Sequence, residues 1–221
     1  MVTGARVRPE LAALWGLDLA RLRSMNTPDP GGTAFKDLCL DTSALATAAA
    51  FWSSALGLVA RDRGDNALLG DGVAEHTLWV NPVPEPRTAK NRVHLDVHTA
   101  AIADLEALGA SVLQQQRHWT VMADPELIAT WWADRFGVGA ATEPGEDFWY
   151  LEHVPGMAWE MIFNRVPEPK TAKNRVHWDL WGDTEGMLAA GATLQRRHDD
   201  EVSWDVLTDP EGNEFCVFTR D

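Results

Sequence analysis

Hydrophobic and polar positions along this chain follow two rhythms, helical and alternating, that recur in a fixed order. Leu45, Ala48, Ala49, Trp52 and Leu56 fall at helical spacing, and Gly57 ends the run. Asp41, Thr42 or Ser43 is placed to cap that helix. Ahead of it, Leu38-Cys39-Leu40 reads as a short apolar strand. Behind it, residues 58–61, 67–69 and 76–81 read as strands separated by Gly-Asp turns. The order is strand, helix, three strands. A strand over 91–98 and a helix over 101–108, stopped by Gly109, come next, followed by extended pieces at 111–115 and 119–122. A closing strand is expected there and is missing. Asp124-Pro125 instead opens a second amphipathic helix, with Leu127, Ile128, Trp131, Trp132 and Phe136 on its stripe and Gly137 as its stop. Strands follow at 138–141, 148–153, 158–164 and 174–181. Then come a helix at 184–190, strands at 193–197 and 203–207, the turn Asp209-Pro210-Glu211-Gly212-Asn213 and a last strand at 214–218.

One phrase occurs twice. Residues 83–97 read VPEPRTAKNRVHLDV and residues 166–180 read VPEPKTAKNRVHWDL, identical at twelve of fifteen positions. A match of this length marks an internal duplication. On a strand, successive side chains point to opposite faces. Arg92, His94 and Asp96 then share one face while Val93, Leu95 and Val97 share the other. In the second copy the polar face is Arg175, His177 and Asp179, and the apolar face is Val176, Trp178 and Leu180. Such a polar face is either plain solvent surface or the wall of a wet cavity, and alternation alone does not choose between them.

The duplication divides the chain. Residues 1–36 stand outside it, with a helical stripe of Leu11, Leu14, Trp15, Leu19 and Leu22 and a linker at 28–32. A first unit covers 37–123 and a second covers 124–221. The stretch 117–126 reads both as the end of the first unit and as the opening of the second, so the first unit lacks its last strand or shares it. The sheet edge left open needs a cover. The N-terminal helix or a second copy of the chain, in a homodimer, would supply one.

Composition narrows the partners. A net charge of -14 and a pI near 4.8 argue against nucleic acid and against an anionic membrane. The two cysteines, Cys39 and Cys216, lie far apart without metal-site spacing, which points to a reducing, cytoplasmic setting. No apolar run is long enough to span a bilayer and no signal peptide is evident. Eleven tryptophans against one tyrosine would furnish a cavity suited to a flat aromatic ligand.

Three features carry a family resemblance: the helix with an aromatic-Trp pair and closing Gly (Phe51-Trp52, Trp131-Trp132), the KNRVHxD strand followed by a helix ending in LGA or AGA, and the closing hairpin DVLTDPEGNEFCV. Together they resemble the vicinal oxygen chelate superfamily, in its glyoxalase-like, bleomycin-resistance-like branch. The resemblance implies an α+β fold of tandem βαβββ modules forming two open cup-like half-barrels, the first incomplete. It implies that Arg92, His94, Asp96, Arg175, His177 and Asp179 look into the cups. Metal-dependent members hold ligands on the first and last strands of their modules. His177 matches an opening-strand position, Glu160 lies near a Glu position, and Glu214 precedes Cys216, which holds the closing-strand place. Thr120, Met122 and Thr77 are poor ligands. Either no metal or a divalent metal (nickel, zinc, iron or manganese) in the second unit follows. The first function implied is binding of a planar or aromatic metabolite or drug in a Trp-lined cup, with Arg92, His94, Asp96, Arg175 and Trp204 touching it. The alternative is a metal-dependent lyase, isomerase or dioxygenase acting on a small carbonyl or phenolic substrate. In that case His177, Asp179 and Glu160 are catalytic and His177, Glu160 and Glu214 hold the metal.

Overall fold

The structure, a computed structural model, describes residues 2–4, 32–73, 76–89, 91–97, 99, 101–111, 125–157, 159–164 and 169–220. The strands are β1 (Val2–Gly4), β2 (Ala34–Thr42), β3 (Val59–Arg63), β4 (Asn66–Gly70), β5 (Leu78–Pro82), β6 (Leu95–Val97), β7 (Ala140–Ala141), β8 (Phe148–Leu151), β9 (Glu160–Asn164), β10 (Val176–Trp181), β11 (Thr193–Arg196), β12 (Asp205–Thr208) and β13 (Glu214–Phe218). The helices are α1 (Leu45–Leu56), α2 (Ile102–Ala107), α3 (Pro125–Phe136) and α4 (Thr184–Ala189). The fold is α+β, with two open sheets and no closed barrel among the described residues. The sequence stripe at 11–22, the extended piece over 112–122 with Thr120 and Met122, and the cap at Asp124 lie outside them. No helix among the described residues is long and apolar enough to cross a membrane.

The larger sheet has eight strands in the order β11-β12-β13-β10-β2-β5-β4-β3. Its strands come from both ends of the chain. β2, the opening strand of the first unit, pairs antiparallel with β10, the second copy of the duplicated strand, matching Val176 to Leu40, His177 to Cys39 and Asp179 to Asp37. β13 lies parallel on the other side of β10 and β5 lies parallel on the far side of β2. Alternation then sorts the faces. Leu38, Leu69, Leu78, Val80, Trp178, Leu180, Leu207, Phe215 and Val217 are buried on one face. α3 lies against that face through Trp132, whose ring meets Trp178 at 6.0 Å and Phe215 at 5.0 Å and whose indole N–H donates to Asp209 at 3.2 Å. A fully buried aromatic of this kind is worth about 3–5 kcal/mol on truncation to alanine, so it anchors the helix. The opposite face is polar.

The smaller sheet has the order β6-β1-β9-β8-β7. β1 runs parallel to β6, with Val2 opposite Leu95 and Thr3 opposite Asp96, and antiparallel to β9. Advanced by the 83-residue repeat, Leu95 and Asp96 become Trp178 and Asp179, which face Phe215 and Cys216 of β13. The N-terminal strand therefore holds, beside the first copy, the place that β13 holds beside the second. The edge expected to need a cover has one, and the cover is a strand.

Both signature strands are shorter than the expected 91–98 and 174–181. The reason is a reciprocal contact between the copies. Asn174 Oδ1 accepts from the backbone N–H of Arg92, and Asn91 Oδ1 accepts from that of Arg175, each at 3.3 Å. These side-chain amides take backbone donors that would otherwise lengthen the ladders. Asn174 is buried, and its amide also donates to Asn213 at 3.2 Å. α1 lacks the side-chain cap expected of it, since its N-cap is Ala44. The Thr42 hydroxyl instead accepts from the Ala44 N–H at 3.1 Å in a local turn.

Two substitutions test this arrangement. Asn174→Ala leaves the Arg92 N–H and the Asn213 amide without their partner and is expected to cost about 1–3 kcal/mol in urea unfolding. Gly156 has φ +82°, and a Cβ there would run into the Phe35 carbonyl next to the Phe35 N–H to Pro155 O bond of 2.8 Å. Gly156→Ala is expected to lower stability by about 1–3 kcal/mol through backbone strain, read as a lower melting temperature.

Candidate functional site

On the polar face the ladder register sets side chains in rows. One row runs Arg61, Leu68, Trp79, Cys39, His177 across β3, β4, β5, β2 and β10. The next row sets Asp37 opposite Asp179, and Asp179 opposite Cys216 of β13. The Thr77 hydroxyl donates to Asp37 Oδ1. Trp181 follows two residues after Asp179, and Phe218 two after Cys216, so both belong to this face, and Trp204 stacks on Phe218 at 5.2 Å. The register shifts after Asp179, and this turns Lys36 onto the same side. Its ammonium sits 2.5 Å from Asp37, 4.3 Å from the Phe218 ring centroid and 5.4 Å from that of Trp181.

At the centre, Cys39, His177 and Asp179 are all buried, and one donor atom from each lies within 4.8 Å of the other two. His177 Nε2 stands 3.9 Å from Asp179 Oδ1, too far for a hydrogen bond. Two buried atoms here have no hydrogen-bond partner, His177 Nδ1 and Asp179 Oδ1. Burial pushes the Asp179 carboxyl above the usual range, against the opposing pull of His177, Lys36 and the Cys39 thiol. Burial, and then the charge of Asp179, push both the Cys39 and Cys216 thiols up. Both cysteines are free and protonated at neutral pH, which makes them inert as nucleophiles unless a cation binds them.

Two clefts open at the margins of this face. One, about 170 Å³, is lined by Arg61, Leu68, Gly70, Gly72, Val73 and Thr77. The other, about 230 Å³, lies between the two copies of the duplicated phrase and is lined by Asp41, Glu85, Arg87, Lys173 and Arg175 among others.

The residues singled out in the sequence are dispersed. His177 and Asp179 meet as described, with Trp204 on the same face. Glu160 does not join them: it is exposed on β9 in the five-stranded sheet, so His177 and Glu160 form no common ligand set. Glu214 neighbours the His177 position, but its carboxylate is taken by Lys170 at 2.6 Å and by the Asn174 N–H at 3.1 Å. Arg175 donates to the main-chain oxygens of Asp41 and Glu85 and so braces the junction of the two copies. Arg92 and His94, both half-buried, precede β6, and Asp96 pairs with Thr3; the Asp96 side chain lies outside the described residues. Sequence reasoning passed over Lys36, Asp37, Cys39, Trp79 and Trp181 as site residues. The alternation Asp37, Cys39, Asp41 around Leu38 and Leu40 was the available signal for β2.

The raised Asp179 pKa has a consequence for stability. The folded state holds that proton more tightly than the unfolded chain. The group's stabilising contribution is therefore complete below the unfolded value of about 3.9 and is lost as pH rises through the higher folded value. Asp179→Asn is expected to be more stable than the parent at pH 7, with the advantage vanishing below about pH 4. Thermal unfolding across pH checks this.

The Glyoxalase-like domain family matches the chain at residues 37–127 and 126–218. Among solved structures, glyoxalase I from Zea mays is 11% identical, with a TM-score of 0.55 over 84% of this chain and 92% of that one. A mutant of the same enzyme gives 11% identity and a TM-score of 0.56 over 85% and 94%. A 2,2',3-trihydroxybiphenyl 1,2-dioxygenase from Sphingomonas wittichii is 15% identical, with a TM-score of 0.36 over 86% and 91%. None of the curated proteins matches. At such identities the likeness to glyoxalase I speaks for the fold alone. The two family matches span most of the sequence: the chain belongs to the glyoxalase-like domain family, in two tandem copies.

Proposed function

We propose that the polar face of the eight-stranded sheet is a small-molecule site for a planar, aromatic metabolite, with the Cys39–His177–Asp179 cluster as its polar end. The observation that carries this reading is the shared face. Trp79, Trp181 and the Trp204–Phe218 stack stand beside a buried imidazole and carboxylate that each keep an unpaired atom. Aromatic walls hold flat ligands by area and stacking, and a few placed polar groups orient them.

A second reading has its own support. Sulfur, nitrogen and oxygen donors from Cys39, His177 and Asp179 converge, a set suited to zinc or another borderline divalent cation. Cys39 and His177 belong to neighbouring strands of one rigid ladder, and the unpaired atoms of His177 and Asp179 would be satisfied by a cation. Such an ion would polarise a carbonyl or phenolic oxygen, the chemistry of a lyase, an isomerase or a dioxygenase. In that case His177 and Asp179 also bind and orient the substrate edge, and Trp79 and Trp181 exclude water from it.

Intrinsic fluorescence titrated with a panel of one- and two-ring metabolites tests the first reading. Saturable quenching is expected, and Trp79→Ala should weaken it about two- to tenfold, the worth of one stacked pair. A flat response across the panel removes the reading. Elemental analysis of protein purified without chelator tests the second: stoichiometric metal that disappears in Cys39→Ser or His177→Ala supports it, and metal at trace level in every sample rules it out.

A further inference from the structure

Among the described residues, three carboxylates of the polar face each hold a lysine and Asp179 does not. Asp37 holds Lys36 at 2.5 Å, Asp41 holds Lys173 at 2.7 Å and Glu214 holds Lys170 at 2.6 Å. Asp179 has no lysine or arginine within ion-pair distance among the described residues, and the basic group it faces is the His177 imidazole, Nε2 to Oδ1 at 3.9 Å. Its side chain is only 9% exposed, and its Oδ1 accepts no hydrogen bond. Trp181 follows on the same strand face, and Trp79 stands across β2.

We infer, resting on the reading of this face as a small-molecule site, that its ligand is a small arylalkyl amine whose protonated nitrogen pairs with Asp179. An ammonium would give Oδ1 the hydrogen bond it lacks and bring a full positive charge to a carboxylate that no lysine or arginine pairs with among the described residues. The protein already displays the geometry once with its own side chain. The Lys36 ammonium lies between the Asp37 carboxylate and the rings of Phe218 and Trp181. A cation over an aromatic face is attracted by the ring quadrupole, more strongly when desolvated. The ligand would repeat that pattern one strand over. An anion placed there would meet the Asp179 carboxyl, whose Oδ1 accepts no hydrogen bond. The net charge of -14 also steers cations toward the molecule and anions away.

The test compares three ligands of matched size, phenethylamine, phenethyl alcohol and phenylpropionate, by calorimetry on the full chain at pH 7. Expected is a preference for the amine of about tenfold or more, the worth of one hydrogen bond to a charged group. Asp179→Asn should erase the preference while Asp179→Glu retains part of it. Equal or tighter binding of the alcohol or the acid overturns the charge assignment and leaves the small-molecule reading standing. Binding of none of the three, alongside a flat fluorescence panel, overturns both. The wild-type comparison decides the sign even if a variant fails to fold. A zinc chloride titration separates the two sources of positive charge: stoichiometric displacement of the amine by zinc, abolished in Asp179→Asn, would assign the counter-ion role to a metal and overturn the amine.

Discussion

The ladder between β2 and β10 is the interaction on which the rest depends. It joins residues about 140 positions apart in sequence, Cys39 beside His177 and Asp37 beside Asp179. Closing so long a loop costs entropy, and the ladder offsets it because it lies in the middle of the sheet, with β5 and β13 outside it. Both its ends are tied. The Asp41 N–H donates to the Arg175 carbonyl at 2.7 Å at one end, and the Phe35 N–H to the Pro155 carbonyl at 2.8 Å at the other. Its apolar side is held by α3 through Trp132. With register set on both margins, a one-residue slip is excluded, since it would carry His177 and Asp179 into the hydrocarbon and bring Trp178 out.

Much of this was legible along the chain and some was not, for a physical reason. The helical stripes, the glycine stops and the doubled phrase are local patterns, and they gave correct elements to within a few residues: α3 with Gly137 behind it, β13 at 214–218, the two-faced strand at 176–181. Which modules share a sheet is not local. Each module presents similar strand edges, and alternation says which side is buried without saying what lies alongside. That is why Glu160 looked like a companion of His177 while it belongs to the other sheet, and why Cys39 passed as a plain apolar residue. The Asn-Arg pairs looked like the start of a strand. Their side-chain amides are instead spent on the crossing of the two copies, a contact that exists only once both are folded.

The unpaired Oδ1 of Asp179 marks this face as more than a by-product of the fold. A buried polar group left without a partner costs about 1–3 kcal/mol, against a total stability of about 5–15 kcal/mol for a domain. Asp37, Asp41 and Glu214 show that this sheet can neutralise a buried acid with a lysine where nothing else is required. Asp179 is flanked instead by two thiols and by His177, whose Nε2 stands 3.9 Å from Oδ1. Sites that bind or react give up stability in this manner.

The duplicated phrase therefore has two different fates. In the second copy it lies between β2 and β13, which bring Cys39 and Cys216 alongside His177 and Asp179. In the first it lies against the N-terminal strand, where Thr3 holds the register position of Cys216. The near-identical letters fold to strands of different length, Leu95–Val97 in the first copy and Val176–Trp181 in the second. What turns one of them into a candidate centre is the neighbour on either side, and those neighbours come from outside the repeat unit that contains the phrase or from its far end. Duplication supplied the two-faced strand twice, and pairing between the ends of the chain equipped it once.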